Sequence, residues 1–229
     1  MLPPKRRIQS WVVNGCTSLN LVLGLATVWL SCHGNLSAAA CCLLGSVVWD
    51  AADGFLARRW KVASDFGAQL DSLADLTSFG IGGGAFVLGW QEGWLPASVA
   101  LPLAAWFGLT AAWRLARFNA TPQRPGEFSG LPTTAVASLL AMGYLSGACL
   151  HGWAGAALLA LLAGLMISSL PYPKFTRVGE LPPWVVVLAF LGGALHLQWT
   201  VWLGSALYLL TGPWLWWRRR QQSLQLIPG

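Results

Sequence analysis

Four aspartates at helical spacing are the part of this sequence that could do chemistry. They lie in Trp49-Asp50-Ala51-Ala52-Asp53-Gly54-Phe55-Leu56-Ala57-Arg58 and in Gly67-Ala68-Gln69-Leu70-Asp71-Ser72-Leu73-Ala74-Asp75. Asp50 and Asp53 stand at i,i+3 and Asp71 and Asp75 at i,i+4, so each pair projects from one face of its helix. The chain has eight acidic residues in all, and half of them are here. Carboxylates gathered in this way supply an all-oxygen ligand set, which suits Mg²⁺ or Mn²⁺ before zinc. A paired-metal site of this kind clamps a diphosphate and stabilises charge on the attacking and leaving oxygens.

The elements that carry these residues are apolar helices. Of 229 residues, 55% are hydrophobic and 10% charged, with a mean hydropathy of +0.57, far more apolar than a soluble domain requires. Apolar stretches fall at 14–31, 37–57, 67–89, 95–116, 131–150, 152–170, 183–195 and 198–217. At ~20 residues per crossing they predict an all-α, polytopic bundle of eight spans in a single domain covering 1–229. The seventh stretch is short, which leaves six or seven spans open. Breaks at His33-Gly34-Asn35, Gln91-Glu92-Gly93, Pro122 to Gly130 and Pro171-Tyr172-Pro173 separate the stretches. Asp50 and Asp53 end the second stretch and Asp71 and Asp75 begin the third. The connection at 58–66 is short enough to fold the two into an antiparallel hairpin, with all four acids in one pocket. A carboxylate at membrane depth costs at least ~2.5 kcal/mol, and crowding adds repulsion, so the pocket calls for cations. Structural ion pairs with Arg58, Arg59, Lys61 or a distant Arg would account for one or two of the acids, not for four on facing helices.

Charge predicts the orientation. An eight-span threading with the N-terminus inside puts all 14 Lys and Arg residues on one side: Lys5, Arg6, Arg7, Arg58, Arg59, Lys61, Arg114, Arg117, Arg124, Lys174, Arg177 and Arg218 to Arg220. Positive residues collect on the cytoplasmic side, so both termini and the acidic pocket are expected there, in a cytoplasmic (inner) membrane. Trp90, Trp94, Trp153 and Trp199 fall where an interfacial aromatic belt is expected. The net charge of +6 builds no basic groove with interleaved aromatics, so nucleic acid is excluded in favour of the lipid bilayer and phosphorylated substrates. Cys16, Cys32, Cys41, Cys42 and Cys149 lack metal spacing and read as small core hydrophobes, and His33, His151 and His196 as surface residues. Lys5 to Arg7 resemble the start of a signal peptide without a convincing cleavage site, so the first span is expected to be retained. Gly80, Gly82, Gly83 and Gly84 suit close helix packing.

The order Asp50-x2-Asp53-Gly54-x2-Ala57-Arg58-x8-Gly67-x3-Asp71-x3-Asp75 resembles the full signature of the CDP-alcohol phosphotransferase family, with every fixed position at the right spacing. The resemblance implies a six-helix membrane core at about 12–176, with C-terminal extra spans at about 182–217, usually in a homodimer. It implies transfer of a phospho-alkyl group with release of CMP. By position, Asp50, Asp53 and Asp71 would hold two divalent cations, with Asp75 completing the metal site and acting as catalytic base. Gly54, Ala57, Arg58 and Gly67 would form the CDP-binding side. The base role has its own physical warrant, because an alcohol attacks well only when its proton has somewhere to go.

Asn14-x2-Thr17-x2-Asn20-x3-Gly24, Arg114 to Asn119, Phe128 to Thr133 and Pro171 to Phe175 are similar to segments of the bacterial and archaeal members that make phosphatidylserine. That likeness implies CDP-diacylglycerol and L-serine as substrates. Two expected prolines are missing, one before Asn14 and one after Pro132. Serine requires a cation for its carboxylate, and Arg114, Arg117, Asn119 and Lys174 are the candidates, lipid phosphate being their alternative partner. Glycerol 3-phosphate or inositol phosphate as acceptor, and a CDP-linked ether lipid as donor, remain open alternatives. An ion-binding transporter is the alternative from another class, although such proteins usually have two similar halves.

Overall fold

The computed structural model describes residues 4–121, 127–147, 149–173, 204, 206, 208–218 and 221. Helix α1, Pro4–Cys32, ends where Gly34 takes a left-handed conformation and Asn35 opens the next helix by accepting the Ala38 amide at 3.3 Å. Helix α2, Leu36–Trp60, stops at Lys61, whose left-handed backbone turns its amide onto the Ala57 carbonyl. Arg58 and Arg59 sit in that last turn, where the helix dipole favours cations. Ser64 then caps helix α3, Asp65–Asp75, by accepting the Gly67 amide at 3.1 Å. The connection is therefore tighter than 58–66 and comprises residues 61–64.

The third apolar stretch is not one regular α-helix. Helix α3 passes into a π-helical segment, Leu76–Gly82, and then into α4, Gly83–Trp90, with the backbone right-handed helical throughout. A π turn takes up one more residue than an α turn and re-phases the side chains beyond it. The segment lies close against α1: the Ser78 hydroxyl donates to the Asn20 carbonyl at 2.8 Å, and a Cβ at Gly24 would collide with Ser78, its Cα 2.6 Å away. Gly83 and Gly84 meet α5 in the same manner, at the Phe107 ring and, 2.8 Å away, the Ala104 carbonyl. These glycines do pack helices closely, as their composition implied.

Helix α5, Ala97–Ala120, is followed by α6, Thr133–Leu145, and α7, Gly152–Ile167. A two-stranded antiparallel ribbon departs from the all-α expectation: β1, Glu127–Ser129, pairs with β2, Pro171–Pro173. Its prolines donate no ladder bonds, and the pairing is reinforced by Gly130 donating to Leu170 at 2.8 Å and Leu131 to Leu165 at 3.0 Å. Tyr172 is wholly buried, and its ring meets Tyr208 in the helical residues 208–218.

Three helices, α1 from Lys5, α2 and α5, are long and apolar enough to cross a membrane, while α6 and α7 have 13 and 16 residues. Along α1 the side chains of Ile8, Trp11, Leu19, Val22, Leu25 and Trp29 are exposed, a stripe that only lipid or another apolar surface can cover. The chain is thus mostly helical and embedded in a membrane. The expected span at 183–195 and Trp199 lie outside the described residues.

Several surface expectations change. Trp90 is buried against Phe86 and Tyr144 rather than at an interface, whereas Trp94 and Trp153 are exposed. All five cysteines are free, and Cys16 alone is buried; Cys32, Cys41 and Cys149 are exposed. His151 is half-buried and stacks on Trp94 with ring centroids 4.6 Å apart.

Gly24→Ala should drive α1 and the π segment apart and destabilise the fold by about 1–3 kcal/mol, the usual cost of overpacking. Gly15→Ala, where nothing lies within 4 Å, should be neutral or stabilising. Thermal unfolding of the two variants in detergent checks the contrast; equal midpoints would contradict the packing.

Candidate active site

Asp50 and Asp53 project from the last turns of α2, and Asp71 and Asp75 from α3. Asp50, Asp53 and Asp71 each present a carboxylate oxygen, all within 4.8 Å of one another. Asp75 adjoins them, its carboxyl within hydrogen-bonding reach of Asp50. Asp53 and Asp75 are buried and the other two half-buried. The hairpin does unite the four acids.

Their direct polar partners come from a helix that spacing alone did not connect to them. The Thr17 hydroxyl donates to Asp53 Oδ2 at 2.6 Å, and the Asn20 amide to Asp75 Oδ1 at 3.1 Å. Both side chains are buried in α1, which packs against α2 and α3. The signal was present: Asn14, Thr17 and Asn20 repeat every three residues on one side of an otherwise apolar helix. Spacing within one segment could not say which acids that stripe would meet.

The donor set fits a hard divalent cation. Every candidate ligand is oxygen, and Asp71 Oδ1 is buried with no hydrogen-bond partner among the described residues, an arrangement that costs ~1–3 kcal/mol unless something else binds there. Arg58 is exposed and lies close enough to Asp50 and Asp53 to interact with both, with its guanidinium over Gly54. The nearest atoms to a methyl group at Gly54 would be those of the flexible Arg58 side chain, at 3.3 Å, so close packing among the described residues does not require a glycine inside this helix, where it costs ~1 kcal/mol against alanine. Gly67 is adjacent to Ser64 and to Asn14 Oδ1, 3.2 and 3.5 Å from where its Cβ would be, and Ala57 is half-buried on α2.

The four basic and polar candidates have different surroundings. Arg114 is buried on α5, donates to Thr133 Oγ1 at 3.3 Å and faces Asp75 and Asp50 closely enough to interact electrostatically. Arg117 instead binds main-chain carbonyls: Ile167 at 2.7 Å, Ser168 at 2.9 Å and Ser129 at 3.0 Å. It joins the ends of α5 and α7 to β1. Asn119 is exposed and donates to Ser72 Oγ at 2.8 Å, beside Asp71. Lys174 lies outside the described residues.

A membrane-embedded helical bundle with clustered carboxylates at the end of one hairpin belongs to the class of integral-membrane proteins whose acidic site suits metal-assisted chemistry on phosphorylated groups. Comparison with known proteins specifies the family. The CDP-alcohol phosphatidyltransferase model matches residues 11–170, and the chain belongs to that family. It is 35% identical over 162 residues to a CDP-diacylglycerol–serine O-phosphatidyltransferase of Methanocaldococcus jannaschii, covering 69% of this chain and 72% of that one. It is 30% identical over 187 residues to the enzyme of the same name from Helicobacter pylori, covering 76% and 77%. It is 30% identical over 164 residues to an archaetidylserine synthase of Methanothermobacter thermautotrophicus, covering 70% and 69%.

Because Arg117 ties three carbonyls together, Arg117→Leu should cost about 2–3 kcal/mol and lower the unfolding midpoint by roughly 4–12 °C. Arg117→Lys should restore little of this, since one ammonium does not span the fork. A midpoint in Arg117→Leu equal to wild type would exclude the anchoring role.

Proposed function

We propose that this chain transfers a phosphatidyl group from CDP-diacylglycerol to L-serine, yielding phosphatidylserine and CMP. The observation that carries the proposal is the convergence of Asp50, Asp53, Asp71 and Asp75 at the helix hairpin that bears the family signature. The names of the relatives from M. jannaschii and H. pylori support serine as acceptor.

Asp50, Asp53, Asp71 and Asp75 are the residues that hold two divalent cations, Mg²⁺ or Mn²⁺. When bound, these offset the carboxylate repulsion and the charge on the diphosphate. Asp75 takes the proton of the serine hydroxyl. The serine oxygen bonds to the phosphorus that carries the diacylglycerol, the phosphorus–oxygen bond to CMP breaks, and CMP leaves with the electron pair. Gly54 leaves the backbone open to the CDP moiety, with Ala57, Arg58 and Gly67 around it; the Arg58 fork suits a diphosphate. Arg114 is the candidate for the serine carboxylate, since it is buried and faces Asp75 and Asp50.

The larger frame belongs to the same proposal. The chain is one domain with a six-helix core, in which α3, the π segment and α4 form a single crossing, followed by two C-terminal spans. The family likeness supports a homodimer. The common end of the bundle shared by Lys5 to Arg7, Arg58, Arg59 and Lys61 supports a cytoplasmic face for the site, in the inner membrane.

Purified protein with Mg²⁺ or Mn²⁺ is given CDP-diacylglycerol or a CDP-linked ether lipid, together with serine, glycerol 3-phosphate or inositol phosphate, and CMP release is measured. Release with serine is expected; release with another alcohol alone would sink serine as the acceptor. Asp75→Asn should abolish turnover while retaining metal-dependent CDP binding, whereas Asp71→Asn should weaken metal and CDP binding together. Turnover equal to wild type in Asp75→Asn would remove it as base. Gly54→Ala should leave the protein as stable or more so, yet raise KM for the CDP-lipid about tenfold, the effect of ~1.4 kcal/mol of crowding. Unchanged KM would remove Gly54 from the donor site.

A further inference from the structure

We infer that Asn20 is a positioning residue, holding Asp75 in the orientation from which it takes the acceptor's proton. The inference rests on the transfer reaction proposed above. Asn20 is wholly buried on a helix that carries neither acidic pair. Its side-chain amide donates to Asp75 Oδ1 at 3.1 Å. Asp50 also lies within hydrogen-bonding reach of this carboxyl, so the Asn20 amide on Oδ1 and Asp50 together fix its rotation about the terminal bond.

The backbone of Asn20 is itself held from two sides. Its carbonyl accepts the Ser78 hydroxyl at 2.8 Å from the π segment and the Ser46 hydroxyl at 3.3 Å from α2. Ser78 is three residues beyond Asp75, and its approach to α1 depends on the missing side chain of Gly24. One residue thus couples α1, α2 and the π segment that follows the base. Thr17 performs a different task one turn away, on Asp53. Asn20 Oδ1, buried and without a hydrogen-bond partner among the described residues, is held in that location although the fold does not satisfy it.

A merely structural asparagine would affect stability and every kinetic constant together. A positioning residue affects turnover at fixed binding, because misplacing a reacting group by ~1 Å costs on the order of 10²-fold in rate without loosening the substrate. Asn20→Ala and the near-isosteric Asn20→Leu, which removes the donor without adding a charge to the acidic cluster, are compared with wild type in steady-state CMP release and in thermal stabilisation by CDP with Mn²⁺. The expected result is a drop in kcat of about 10²-fold in both, with KM for the CDP-lipid and metal-dependent CDP stabilisation within about threefold of wild type. If Asn20→Ala does not fold, Asn20→Leu decides. The inference is overturned if kcat in Asn20→Leu stays within about threefold of wild type, or if metal-dependent CDP stabilisation disappears along with turnover. Wild type that releases no CMP with any acceptor would fail the proposed reaction and this inference with it; active wild type with unaffected variants would fail the inference alone.

Discussion

Repulsion among four carboxylates at one end of a helix hairpin is the constraint around which this structure is organised. Each ionised carboxylate at membrane depth costs at least ~2.5 kcal/mol, and three of these present oxygens within 4.8 Å of one another. Left to local preference, the hairpin would splay. It is held by α1, which packs along α2 and against α3 and the π segment, and which contributes Thr17 and Asn20 directly to the acids. Buried hydrogen-bond donors of this kind are the cheapest means of retaining a charged cluster until a cation or substrate arrives.

The requirement for close approach passes down the helices. Gly24 admits Ser78, and Gly83 and Gly84 admit α5, so the π segment is enclosed by neighbours at near-backbone distance. In lipid, where apolar burial does not draw helices together, such contacts and the few polar bonds between helices provide most of the association. The basic residues divide along the same lines. Arg114 turns inward towards the acids, Arg117 binds the carbonyls where α5, α7 and the β ribbon meet, and Arg58 remains exposed beside the cluster.

The hairpin and its acids were legible because their information is local: i,i+3 and i,i+4 spacings select a face, and a short connection reverses the chain. What lay beyond one segment was not. Thr17 and Asn20 showed a polar stripe but not its destination. Trp90 bore the mark of an interfacial residue and is buried, because Phe86 and Tyr144 close around it. Arg117 had the charge of a ligand-binding residue and became a tie between chain segments. The β ribbon joins residues more than forty positions apart, and its prolines advertise turns rather than pairing.

By itself the sequence determined the chemistry and the local geometry: a membrane-embedded helical chain, a CDP-alcohol signature, and two carboxylate pairs on facing helices. It did so because hydrophobic length and helical period are properties of contiguous residues. Only the tertiary structure decided which helix serves those acids, that the third stretch widens into a π segment, and which arginine is buried beside the site. Those outcomes depend on how closely backbones approach, which is set by pairs such as Gly24 with Ser78 and Asn20 with Asp75, distant in sequence and adjacent in the folded chain.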